Sequence, residues 1–152
     1  MIRQNLIKEK IDKEAADFTL ENLEGKTFTL SAMRGKVILL DIWASWCGPC
    51  IRAIPEVEKV YEHFHNVDDV VIWGVNSGET PEKVRAFLEE HQPPWPILLD
   101  RNREVRSAYN IEGIPTFALI DKEGHWQYAR LGYSEWLGQE LIWLVEELQI
   151  AD

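Results

Sequence analysis

At 152 residues with 45% hydrophobic side chains, the chain is long enough for one domain with an ordinary core, so its two cysteines are not needed as staples. Its 16 basic and 26 acidic residues give a formal charge of −10, which argues against nucleic-acid and anionic-membrane partners. No stretch approaches the apolar length of a membrane span, and the start, MIRQNLIKEKIDKEAADF, lacks the apolar core of a signal peptide. The expectation is therefore a soluble monomer, cytoplasmic as it stands or extracytoplasmic if an N-terminal anchor has been trimmed.

Residues 1–16 are mostly charged with sparse Ile and Leu, and read as an N-terminal arm or short helix; residues 17–152 form the domain. The alternations Phe18/Leu20 and Phe28/Leu30 flank Glu24-Gly25, which predicts two short strands joined by a turn. Ser31 to Lys36 connects this hairpin to Val37–Trp43 (VILLDIW), a nearly unbroken apolar run of strand length, as expected for a strand buried on both faces. Asp41 is the anomaly in that run, because an acid is costly to bury in its charged form unless partnered. The pleat puts Val37, Leu39, Asp41 and Trp43 on one face, and the strand leads straight to the cysteines, which places Asp41 beneath them. The bland alternative is a solvated acid on an exposed strand face.

Trp46-Cys47-Gly48-Pro49-Cys50 holds both cysteines. Ile51, Ile54, Val57, Tyr61 and Phe64 then recur at steps of three and four, so an amphipathic helix follows directly and Cys47 lies where a strand becomes a helix. A helix N-terminus offers unpaired N–H groups and a positive dipole end, and both favour the thiolate, which is the nucleophilic form of cysteine. Cys50 lies one turn on, within reach of a bond at Cys47, so the pair can close and reopen a disulfide. Pro49 lacks an N–H that the first turn cannot use, and Gly48 lets another backbone approach the sulfur. Pro55, inside the helix, is expected to kink it. A zinc site fits poorly: His63 is near finger spacing from Cys50, but His65 is only two positions further and shares no helical face with it. Inert buried cysteines are the remaining alternative.

Val70–Val75 (VVIWGV) is a second buried strand, and Thr80-Pro81 supplies a cap and first-turn proline for a helix to about His91. Gln92 to Pro96 (QPPWP) is an extended connection into Ile97–Leu99, after which a short helix spans about Asn102 to Tyr109. Ile114-Pro115 precedes a strand at Thr116–Ile120, Asp121 to Gly124 turns the chain, and Trp126–Leu131 returns. Ser134 to Gln149 is the last helix.

The order LDIWASWCGPC, Pro55, GIPT at Gly113–Thr116 and Gly132 after the last strand resembles the thioredoxin superfamily over about Asp17 to Leu148. The N-terminal hairpin and the strand and helix between the cysteines and GIPT look most like the TlpA and ResA branch, related to peroxiredoxins. The resemblance implies an α/β thioredoxin fold: a central mixed sheet flanked by helices, with an N-terminal β-hairpin and an inserted strand-helix element. It also implies a disulfide oxidoreductase in which Cys47 is the nucleophile, Cys50 the resolving thiol and Asp41 the buried acid/base. Pro115 would be a cis-proline facing the cysteines. Trp46, Gly48, Pro49, Ile114 and Pro115 would contact substrate.

The expected function is reduction of protein disulfides through a Cys47–Cys50 pair, with electrons returned by an upstream donor, either a reductase or a membrane thiol donor. No metal or organic cofactor is required. Two rivals are a binding module that holds a peptide near Trp46, Ile114 and Tyr133, and an oxidase or isomerase on the same scaffold; the Gly-Pro dipeptide resembles reducing thioredoxins instead. Three departures bear on the resemblance. Ala53 stands where ResA-like proteins of cytochrome c maturation often carry glutamate, which counts against that role. Gly74 is the approximate counterpart of the lysine that short thioredoxins place near the buried acid. The Trp46–Cys50 motif replaces the peroxidatic context of peroxiredoxins.

Overall fold

The computed structural model describes residues 10–150. Eight strands form one sheet in the order β1-β8-β7-β4-β5-β6-β2-β3: β1 Lys13–Glu14, β2 Thr19–Glu21, β3 Thr27–Thr29, β4 Val37–Trp43, β5 Val70–Ser77, β6 Ile97–Asp100, β7 Thr116–Ile120 and β8 His125–Leu131. Among the described residues four α-helices accompany them: α1 Gly48–Phe64, α2 Pro81–Glu90, α3 Glu104–Ala108 and α4 Leu137–Ile150. The mixed sheet, the hairpin of β2 and β3, and the inserted strand-helix element agree with the expected architecture.

All seven residues of β4 are buried because it is central, with β5 parallel on one side and β7 antiparallel on the other. Parallel steps from β4 to β5 and from β5 to β6 need crossovers, and right-handed connection carries α1 and α2 over the same face. α4 joins them there, against Val37, Leu39, Trp43, Phe117 and Leu119. The alternate side chains Ile38, Leu40, Ile42, Ala118 and Ile120 point to the other face, which α3 and the N-terminal hairpin cover through Val105, Phe18 and Leu20. The two-residue period of the pleat therefore divides the core in two and assigns Asp41 to the helix face that carries the cysteines. α1 runs unbroken through Pro55.

In the described part of the expected arm or short helix, residues 10–16, there is no helix, and Lys13–Glu14 form the short strand β1. β1 pairs with β8, and Ile11 and Ala15 donate their N–H groups to the carbonyls of Gln127 and Gly124 at 2.8 and 2.9 Å. Without them β8 would present an open edge, and satisfying its backbone groups outweighs the polar composition of the segment. Residues 1–9 lie outside the described residues. A 3₁₀ turn at Leu30–Met33 occupies the connection before β4 and buries Leu30. No helix among the described residues is long and apolar enough to cross a membrane.

Candidate active site

β4 ends at Trp43, and a tight turn reverses the chain into α1, with Cys47 N–H bonded to the Ala44 carbonyl at 3.2 Å. Cys47 is the N-cap: its backbone is extended, its carbonyl accepts the first helical bond from Ile51 at 3.1 Å, and its Sγ accepts the N–H of Cys50 at 3.2 Å. A cysteine thus fills the place where serine or aspartate usually caps, and one of the helix's orphan donors is aimed at sulfur. Cys47 and Cys50 are joined by a disulfide, with their Cα atoms 5.2 Å apart. Although it stands at a helix start, Cys47 is only 3% exposed. Its sulfur is turned inward to its partner, and the Ile114 carbonyl oxygen lies 3.7 Å from it.

The Ile114–Pro115 bond is cis. Pro115 is buried and Ile114 half-buried beside the disulfide, whereas Trp46 is 69% exposed. Leu131, Tyr133 and Trp136 are exposed as well. Gly113 meets Leu131, whose Cδ1 would stand 3.2 Å from a Cβ at that position. The Arg52 guanidinium reaches over the Tyr133 ring at 5.8 Å and lies against Gly48, 3.6 Å from where a Cβ would stand.

Asp41 and Cys50 line one cavity of about 10 Å³, walled by Trp43, Phe87, Trp95 and Ile97. Burial pushes the Asp41 carboxyl from 3.8 up to about 7, because the apolar walls disfavour its charged form. Neither Asp41 Oδ1 nor Trp43 Nε1, both buried, has a hydrogen-bond partner among the described residues. The register sets Gly74 directly opposite Asp41, so the strand that could offer a cation offers none.

Glu79, which sequence reasoning passed over, is buried immediately behind the active-site turn. Its Oε1 accepts from Ser45 N–H at 2.6 Å and from Asn76 Nδ2 at 2.8 Å, and its Oε2 accepts from the Ser45 hydroxyl at 2.5 Å. The one available signal was an acid between the apolar strand β5 and the Thr80-Pro81 cap. A carboxylate there needs a buried partner, and its partner lies 34 residues away in sequence. Among the described residues no group of three or more His, Cys, Asp or Glu side chains could hold a metal ion.

The fold and the site define a thioredoxin-fold domain whose first helix is capped by one half of a closed Cys-x-x-Cys disulfide. The chain belongs to the Redoxin family, whose model matches residues 10–139. It is 37% identical over 111 residues to the thiol-disulfide oxidoreductase ResA of Bacillus subtilis (strain 168), covering 73% of this chain and 62% of that protein. With the ResA of Geobacillus kaustophilus (strain HTA426) it shares 39% over 114 residues, 75% of this chain and 65% of that one. The match thus spans somewhat under two thirds of these relatives' length. Among solved structures, the exposed lipoprotein thioredoxin of Streptococcus pneumoniae strain TIGR4 superposes with a TM-score of 0.78 at 29% identity, over 88% of this chain and all of that one. The thioredoxin domain of a thiol-disulfide oxidoreductase from Bacteroides vulgatus gives 0.77 at 26% identity, over 93% and 97%.

Proposed function

We propose that the protein reduces disulfide bonds of other proteins by dithiol-disulfide exchange. The observation that carries this is the bond from Cys50 N–H to Cys47 Sγ at 3.2 Å, a helix N-terminus aimed at a sulfur already within reach of its partner. Once the pair is reduced, the Cys47 thiolate attacks one sulfur of the substrate disulfide. A new S–S bond forms, and the other substrate sulfur leaves as a thiolate. Cys50 then loses its proton and attacks Cys47 Sγ, which closes the Cys47–Cys50 bond and releases the second substrate thiol. Two electrons pass to the substrate, and a separate dithiol donor returns them.

Asp41 is the base for the second step: it shares a cavity with Cys50, and a carboxyl titrating near 7 accepts a proton at neutral pH. The cis Ile114–Pro115 segment holds the Ile114 backbone beside the disulfide, where an extended substrate strand can pair with it. Trp46, Gly48 and Pro49, next to Cys47 in the chain, are the further residues that would contact that strand in this reading. The names of the relatives, thiol-disulfide oxidoreductases, support the same chemistry. Insulin reduction with dithiothreitol as the electron source tests it: precipitation of the insulin B chain should be accelerated by the wild type and not by Cys47→Ser. A wild type no faster than dithiothreitol alone would leave only a binding role for the apolar surface.

A further inference from the structure

Glu79 belongs to neither sulfur nor substrate, yet its carboxylate takes three short bonds and two of them come from one residue, Ser45, two positions before Cys47. We infer that Glu79 is a positioning residue for Cys47: through Ser45 it clamps the turn that presents the sulfur to the helix N-terminus, and its fixed negative charge opposes formation of the Cys47 thiolate. The inference rests on the proposed exchange chemistry.

The geometry divides the work. The turn Ala44–Cys47 has one internal bond, from Cys47 N–H to the Ala44 carbonyl, and the two from Ser45 to Glu79 are its ties to β5 and the start of α2. Asn76, opposite Trp43 in the sheet, braces the carboxylate from below. Glu79 is 8% exposed and Cys47 3%, so the solvent that normally screens a carboxylate from a neighbouring thiol is largely excluded. Burial works to raise the Glu79 carboxyl, but the bonds from Ser45 and Asn76 and the charge of Lys83 outweigh it and hold it below the usual glutamate range. It is therefore ionised wherever the thiol titrates. The other charged groups around the turn are Lys83 on α2, Arg52 against Gly48 on α1, and Asp41 beneath Cys50 on β4.

The charge has a functional direction. The helix N-terminus stabilises the thiolate, and a more stable thiolate favours the reduced pair, which makes the pair a stronger oxidant. A buried anion behind the turn works against this and keeps the pair reducing.

The test is to titrate Cys47 by thiolate absorbance in a Cys50→Ser background, so that one thiol is read, and to equilibrate the two-cysteine protein with glutathione. Glu79→Gln removes the charge but keeps an acceptor and the side-chain shape. It should increase the acid dissociation constant of Cys47 about three- to tenfold. It should also move the glutathione equilibrium about two- to fivefold toward the dithiol. Ser45→Ala keeps the charge and drops one of the two ties; Cys47 should titrate as before while the rate of attack per thiolate falls about threefold. If Glu79→Gln leaves both constants unchanged, or if Ser45→Ala shifts the titration as far as Glu79→Gln does, the charge role is overturned. A parent-like rate in Ser45→Ala overturns the clamp, whether or not Glu79→Gln folds. Failure of the underlying reading looks different: the disulfide of the unsubstituted protein would not equilibrate with glutathione at all.

Discussion

Asp41 and Gly74 stand directly opposite each other in the parallel pairing of β4 with β5. A Cβ on Gly74 would meet Ile97 Cδ1 at 2.7 Å and the indole nitrogens of Trp95 and Trp43 at 3.2 and 3.3 Å. The space that a lysine would need to reach the acid is filled by two tryptophans and an isoleucine. The missing cation and the raised Asp41 carboxyl thus have one steric cause: the packing that excludes the cation also supplies the apolar wall that disfavours the carboxylate.

Gly74→Ala should therefore destabilise the protein, by about 1–2 kcal/mol, since overpacking of a closed core outweighs the entropy that alanine removes from the unfolded chain. Urea midpoints measure it. A stabilised variant would show that Ile97 and the indoles yield without cost.

Asp41→Asn bears on stability through ionisation. Below pH about 4 the acid is protonated folded and unfolded, and costs little. Between 3.8 and about 7 the folded state keeps a proton that the unfolded state has lost, so stability falls as pH rises, and above about 7 the loss is complete. An amide does not ionise, but it too needs buried partners, so the net gain at pH 8 should be about 1–3 kcal/mol, fading toward pH 4. Denaturant midpoints of both proteins across pH 4 to 8 give the difference; a variant less stable at pH 8 would mean a charged, well-paired carboxylate.

What was legible in the sequence is what local pattern encodes. The apolar run of β4, the three-four spacing of α1, the Thr80-Pro81 start of α2 and the placement of Asp41 beneath Cys50 follow from periods of two and 3.6. The cis bond at Ile114–Pro115 was legible only through the GIPT resemblance, since most X-Pro bonds are trans. What escaped depends on partners far apart in the chain. Residues 11–15 look like a polar arm until β8 is beside them, and Glu79 looks like a surface acid until Ser45 is folded onto it. The burial of Cys47 likewise involves Ile114, 67 residues on, whose carbonyl lies against its sulfur.

Another long-range contact fixes the helix that carries the cysteines. Glu56 on α1 is buried and accepts the N–H of Gly138 near the start of α4 at 3.0 Å, and its other oxygen meets Lys59 at 2.6 Å. Glu56→Ala should cost about 1–3 kcal/mol, because it orphans a buried donor, and Glu56→Gln, which keeps an acceptor, should cost less. Thermal unfolding of the two variants checks the order.

The roles of the two thiols separate by trapping. With Cys50→Ser the first exchange proceeds and the second cannot, so mixed disulfides with a substrate should accumulate on Cys47 and be visible on non-reducing gels. Cys47→Ser should trap none, since it removes the sulfur at which the N–H of Cys50 and the helix N-terminus are aimed. Adducts in Cys47→Ser alone would reverse the assignment.

The pH dependence of resolution tests Asp41 as the base. A carboxyl that titrates near 7 is protonated at pH 6, where it cannot accept the Cys50 proton, and ionised at pH 8, where it can. The rate at which a preformed Cys47 mixed disulfide is resolved should therefore climb through about pH 7 in the wild type. In Asp41→Asn the inflection near 7 should vanish, with the rate at pH 8 lower by about 10²-fold or more and rising only as hydroxide deprotonates Cys50 directly. The substitution that stabilises the fold at pH 8 thus slows the chemistry there, because both effects come from the same desolvated carboxylate. A resolution rate equal to that of the wild type at pH 8 would remove Asp41 from the proton path.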